Sequence, residues 1–287
     1  MQMKKNYKIA DSIISFSSNF NVKEEKKFQN FKVDDESLDV IQFVGVNEFP
    51  EIEFDRLDVV SDVQFSEAKF NGVWVRCFYG NGGEVYAILA KELDRTVCYY
   101  LLSEEDCFKS VGRIFSHIAF ERIMLDNRAI ILHASLIRVN GRGILFSGPS
   151  GIGKSTQADL WCQYEDAELI NGDKVIIRNV DGVWYGYGSP FAGSSDVFKN
   201  ERVPIEGIVF LNRAVDECSC RRLSLAESFR YLYLNTTLNS WNLEFMDCAM
   251  DLIQKIMDDV KLYELRNQKD YSSVKCLKQT LNLEVKL

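Results

Sequence analysis

The chain has 287 residues, 46% hydrophobic and 26% charged, enough for a substantial core in one large domain or two ordinary ones. Its formal net charge of −8 argues against nucleic acid as the main partner. The eight cysteines form no C-x-x-C pair, the basic first residues lack a signal peptide's apolar core, and no window approaches a membrane span. The expectation is a cytoplasmic protein with reduced thiols, no zinc site and no membrane partner.

The first hundred or so residues read as β-rich. Val40–Val46 is a strand candidate, and Val73–Tyr79 and Glu84–Ala90 flank Gly80-Asn81-Gly82-Gly83, a strong hairpin signal. Val97–Leu102 continues the meander, and no motif of catalysis or ligand binding occurs in this region. From Ser110 to Asn127 the apolar residues Val111, Ile114, Phe115, Ile118, Ala119 and Ile123 recur with helical period, so one helix is expected there. The domain boundary is placed near residue 110. This gives a mixed α/β chain, with a β-rich N-terminal domain at 1–109 and a second domain at 110–287.

Residues 148 to 156 read Gly-Pro-Ser-Gly-Ile-Gly-Lys-Ser-Thr and satisfy G-x-x-x-x-G-K-[ST]. Gly148, Gly151 and Gly153 permit backbone conformations that a Cβ would forbid, so their amides can converge on an anion at a helix start. Ser150, Ile152 and Thr156 complete the nucleotide-binding loop. Lys154 supplies a mobile charge for the β- and γ-phosphates, and Ser155 offers a hydroxyl to Mg²⁺. A strand at Gly143–Ser147 enters the loop and a helix at Lys154–Tyr164 leaves it, so a chance glycine-rich turn is a poor account.

Two further residues converge on this loop. The strand Ile131–Val139 is followed by Asn140-Gly141, a two-residue hairpin turn, so paired residue numbers add to 281 and His133 faces Gly148. That register places His133 beside the γ-phosphate region, against the alternative of a hydrogen-bonded histidine at a strand start. The other histidine, His117, reads as packing. Asp173 ends the apolar strand Glu168–Asp173, nineteen residues after Lys154, where a carboxylate can hold Mg²⁺ or accept a proton from an incoming hydroxyl. The alternative is a turn aspartate after Asn-Gly. Beyond it come a hairpin at 174–187 and a loop rich in small residues, Gly188–Asp196, with Lys199 and Arg202. These are expected to border the acceptor or phosphate site. A strand at Ile205–Leu211 follows. Helices at Ala226–Leu238 and Leu243–Asp259, a strand at Leu262–Leu265 and a helix at Ser272–Leu281 close the chain.

His133, the phosphate loop and an acid close behind Lys154 resemble the catalytic domain of HPr kinase/phosphorylase, whose nucleotide-binding core recurs in ATP-dependent phosphoenolpyruvate carboxykinases. Leu-Ile-Asn-Gly-Asp-Lys, Tyr-Gly-Ser-Pro-Phe-Ala-Gly-Ser-Ser and Ile-Val-Phe-Leu look like a subgroup associated with peptide-modification genes, including kinases of lasso-peptide precursors. The resemblance covers roughly residues 110 to 287. It implies an ATP- and Mg²⁺-dependent kinase of a Ser/Thr hydroxyl on a peptide or protein, such as a ribosomal precursor peptide, and a homo-oligomer. Carried over, Lys154, Asp173 and His133 are catalytic, and Ser155 and Asp173 hold the metal. HPr kinases carry two adjacent aspartates where this chain has Gly172-Asp173, so either Asp173 alone takes the proton, or His133, Asp196 or the substrate's own environment substitutes. Two other readings stay open, a small-molecule serine-type kinase and a nucleotide-sensing module without transfer.

Overall fold

The computed structural model describes residues 3–49, 65–70, 73–92, 94–214, 217–240 and 242–283. It divides into two compact units, Met1–Phe120 and Glu121–Leu287. The architecture is mixed α/β, with mixed sheets in both units and helices layered on the second, as the sequence leads one to expect. Among the described residues, no helix is long and apolar enough to cross a membrane.

The first unit is one seven-stranded sheet. In chain order it holds β1 (Met3–Ile9), β2 (Ser12–Ser18), α1 (Lys26–Gln29), β3 (Val40–Val46), β4 (Phe65–Phe70), β5 (Val73–Tyr79), β6 (Val85–Lys91), β7 (Thr96–Leu101) and α2 (Val111–Ser116). The strand order is β1-β2-β3-β7-β6-β5-β4, with β3 parallel to both of its neighbours. The β1–β2 hairpin escapes the sequence reading because its turn is Ala10-Asp11. Both residues adopt positive φ, 49° and 62°, without the usual Asn-Gly signature. Tyr7, Phe16, Phe28, Phe43, Phe108 and Phe115 fill the interior, their rings meeting at centroid distances of 4.9 to 6.1 Å.

The single helix expected over 110–127 is two helices. It breaks at His117–Ala119, where Ala119 takes a φ of 52°, and α3 (Phe120–Asp126) begins anew. Because Val111, Ile114 and Phe115 of α2 are buried, with Phe115 among the first unit's rings, the units divide after Phe120 while the sequence put the division near residue 110.

The second unit carries β8 (Ala129–Val139), β9 (Arg142–Ser147), α4 (Lys154–Tyr164), β10 (Glu168–Asn171), β11 (Lys174–Val180), β12 (Val183–Tyr187), β13 (Arg202–Arg213), β14 (Ser219–Arg222), α5 (Leu225–Asn235), α6 (Leu243–Asp259), β15 (Leu262–Asn267) and α7 (Tyr271–Thr280). Strands β9, β13 and β15 are parallel, and the remaining pairs are antiparallel. Helices cover both faces. Leu232, Phe245, Ile253 and Ile256 of α5 and α6 pack with Leu132, Leu136 and Phe210. Trp161 and Leu277 of α4 and α7 pack with Ile144, Phe146, Val209 and Leu265 in a second cluster. A sheet buried on both faces explains why its central strands read as continuous apolar runs.

Candidate active site

The β8–β9 hairpin sets the site's frame. Asn140 and Gly141 take φ values of 49° and 76°, the positive pair of a tight hairpin turn. The expected register holds from Val139↔Arg142 to Ala134↔Ser147, one step short of His133. Ser147 Oγ then donates to the His133 carbonyl at 2.9 Å, tying the end of β9 to that residue. The loop after Ser147 places Gly148, Gly151 and Gly153 at φ values of 140°, 74° and 115°, conformations that L side chains rarely adopt. Lys154 opens α4 and is buried, its Nζ donating to the carbonyls of Gly148 at 3.0 Å and Pro149 at 3.2 Å. Burial lowers its pKa from the ordinary lysine value, and the charge of Asp173 opposes that shift. Ser155 is exposed on the first turn beside the half-buried Thr156; Ser150 is exposed and Ile152 half-buried within the loop. The glycine-rich loop, the start of α4, the Lys154 ammonium and the Ser155 hydroxyl thus lie together in sequence and fold, the residue types suited to an oxyanion.

Asp173 lies in the short link between β10 and β11, held by its neighbours. Asn171 is fully buried and accepts the Asp173 backbone N–H at 3.0 Å through Oδ1, while its Nδ2 donates to the Ser189 carbonyl at 2.9 Å. The Asp173 carbonyl accepts the Ala134 N–H at 2.8 Å, and Ser135 Oγ donates to the Gly172 carbonyl at 3.0 Å. So fixed, the carboxylate meets His133, with Nε2 to Oδ1 at 3.1 Å and side chains 36% (His133) and 31% (Asp173) exposed. Burial first, and the Lys154 charge second, lower the His133 pKa from its ordinary value, with Asp173 pulling the other way. A neutral imidazole can donate its Nε2–H to one carboxylate oxygen and leave the other free to accept. The fold thus brings Lys154, His133 and Asp173 into one electrostatic neighbourhood.

The small-residue loop at 188–196 folds against this centre. A Cβ at Gly193, whose φ is 57°, would lie 2.9 Å from the Asp173 Cβ. A Cβ at Gly172 would run into Ser195 and sit 3.0 Å from the Ala192 carbonyl oxygen. Ser195 is itself anchored, donating to Ala192 O at 2.7 Å and accepting from Val197 N at 3.3 Å. The position before Asp173 is therefore filled by the loop, and no side chain fits there without moving it. Asp196 is exposed at a φ of 52° at the loop's end.

The two cations expected near the phosphates are engaged elsewhere. Lys199 pairs with Glu168, at the start of β10, and Glu168 also pairs with Arg138. Arg138 is five residues along β8 from His133, roughly 17 Å at strand rise. Arg202 lies over the Tyr185 ring at 4.6 Å and donates to Tyr187 Oη at 3.2 Å. The cation that does face the centre is Lys174, opposite His133 in the β11–β8 pair. It escaped the sequence reading, although its place next to Asp173 was legible. Asn171 and Ser189, which hold Asp173 and the loop, were missed as well, because their roles appear only once β10 and the loop are packed together.

His117 packs, as expected. It is buried among the rings of Phe78 and Phe108, bonds Tyr86 Oη at 2.7 Å, and burial lowers its pKa. All eight cysteines are free, and no group of three or more His, Cys, Asp or Glu that could hold a metal occurs among the described residues.

No family model and no curated protein matches this sequence. Among solved structures, the HPr(Ser) kinase/phosphatase of Coxiella burnetii aligns with 54% of this chain and 92% of its own, at 13% identity and a TM-score of 0.32.

Proposed function

We propose that this chain is an ATP-dependent phosphotransferase moving the γ-phosphoryl group of ATP to a Ser or Thr hydroxyl of a peptide or protein, such as a precursor peptide. The observation that carries this reading is the Asp173 carboxylate, held by His133 at 3.1 Å and close enough to the phosphate-loop lysine to shift its pKa. In the reaction the acceptor oxygen forms a bond to the γ-phosphorus while the bond to the bridging oxygen breaks. The electron pair leaves with ADP, and the hydroxyl proton passes to Asp173. Loop amides and Lys154 neutralise the phosphates, which is most of what phosphoryl transfer asks of a protein. His133 orients the carboxylate by its Nε2–H. Ser155 and Asp173, hard oxygen donors, would hold Mg²⁺, which would supply charge neutralisation there.

A second reading, a nucleotide-sensing module, is favoured by Gly172, which the packed Ser195 leaves without room for a second acid. Incubation with γ-labelled ATP and Ser/Thr-containing peptides decides between them. Label recovered as phosphoserine or phosphothreonine supports transfer to a peptide. Label on free serine supports the small-molecule reading, and tight ATP·Mg²⁺ binding with no labelled product supports the sensor.

A further inference from the structure

Lys174 opens β11 directly opposite His133 on β8. Opposed residues of an antiparallel pair project from the same face of the sheet, and His133 reaches Asp173 from that face. The Lys174 charge is felt at the imidazole together with that of Lys154. Its backbone is fixed to the small-residue loop, with N–H to the Phe191 carbonyl at 3.1 Å and its own carbonyl accepting from Ser189 Oγ at 2.5 Å. Its ammonium lies 5.9 Å from the centre of the Phe191 ring, the far edge of cation–π range. The side chain is exposed, and no ion pair to it is present among the described residues. An unpaired lysine is most often a solvated surface group. This one sits on a rigid strand, on the face where His133 and Asp173 meet, in a chain of net charge −8.

The charge count gives it a task. The centre holds one carboxylate, Asp173, and two lysine side chains, Lys154 and Lys174, the latter directly opposite His133, while Ser195 occupies the space beside Gly172. Lys154 is bound to the loop that cradles a nucleotide's phosphates. Lys174 stands with Asp173 and His133, where the acceptor hydroxyl would arrive. We infer that Lys174 is a second phosphoryl-binding lysine, whose ammonium contacts the equatorial oxygens of the γ-phosphoryl group as it passes from ATP to the acceptor. This rests on the phosphotransferase reading. Charge on those oxygens is spread most widely during transfer, so a cation placed there acts on the transition state more than on bound nucleotide.

The test needs no knowledge of the acceptor. Binding of ADP·Mg²⁺ to the full chain is measured by calorimetry with and without aluminium fluoride, a stand-in for the transferring phosphoryl group. The parent should bind ADP about 100-fold tighter with the fluoride present, the low end for transition-state mimics. Lys174→Met should keep ADP affinity within about threefold and lose most of the fluoride-dependent tightening, the scale of one missing oxyanion donor. Lys174→Arg should recover most of it. Because Lys174 is exposed, neither variant endangers folding. Undiminished tightening in Lys174→Met overturns the inference, as does an equal loss of plain ADP affinity, which makes Lys174 an ordinary nucleotide contact. A parent that binds ADP without any tightening overturns the transfer reading and this inference together, while a parent that binds no nucleotide removes the phosphate-loop assignment itself.

Discussion

The two units each hold a prominent acid–base pair, and they use it in opposite ways. In the first, Arg76 and Glu67 are 2% and 6% exposed. Arg76 Nε donates to Glu67 Oε1 at 2.8 Å, Trp74 Nε1 donates to Oε2 at 3.3 Å, and the guanidinium stacks over Phe65 at 4.1 Å. In the second, His133 and Asp173 are each about a third open, and Gly193, at a φ of 57°, lies against Asp173. A charge closed off and saturated on every side is committed to structure. A charge half open, fixed by backbone bonds and placed beside a glycine-rich loop keeps capacity for something not yet bound.

Breaking each pair sharpens the contrast. The largest effect is expected at the loop: Lys154→Ala should abolish transfer and weaken ATP·Mg²⁺ binding by about tenfold or more in calorimetry, as for a lost charge-assisted contact. Glu67→Ala strands a buried guanidinium and should cost about 3–5 kcal/mol of unfolding free energy in urea, with ATP affinity unchanged at low denaturant. Gly172→Asp inserts a side chain where Ser195 packs. It should cost about 1–3 kcal/mol by overpacking and bring no gain in rate, and adding Ser195→Gly should return most of the stability. Gly193→Ala, at a φ of 57° and against the Asp173 Cβ, should cost about 1 kcal/mol in the same assay and slow transfer by displacing the carboxylate.

The smallest effect is in pH. The chain has two histidines, His117 and His133, and burial lowers the pKa of both from the ordinary value near 6.5. The unfolded chain takes up these protons near pH 6.5 and the folded chain only below it. The stability they contribute is therefore present above pH 6.5 and lost as pH falls through that value towards the folded pKa. Imidazole carbon shifts in an NMR titration should move below pH 6.5 for both residues; a midpoint at or above it for His133 would contradict its burial first and its placement beside Lys154 second.

Much of the site was legible because short-range rules govern it. The phosphate loop is a local pattern, and Asn140-Gly141 fixes the register from Val139↔Arg142 to Ala134↔Ser147, one step short of His133. The helix bounds Lys154–Tyr164, read from the phosphate-loop motif, and Leu243–Asp259 also match the structure. What failed lay outside these patterns. The β1–β2 hairpin turns on Ala10-Asp11, which resembles no favoured pair. The break at Ala119, at a φ of 52°, falls where the sequence has no Gly or Pro to announce it. Lys199 and Arg202 looked available in sequence, yet Glu168, Tyr185 and Tyr187 claim them across strands that composition does not pair. Gly172 read as a missing acid. In the fold it is a position that Ser195 needs empty.

The claim that the half-open pair is catalytic is tested most directly by single-turnover transfer from ATP in Asp173→Asn, with melting temperature measured on the same sample. The variant keeps the shape and the hydrogen bonds of the backbone link while removing the charge. The account predicts a rate lower by about 100-fold or more and a melting temperature within roughly 2 °C of the parent. A variant that keeps half of the parent rate would contradict it and send the proton to another group.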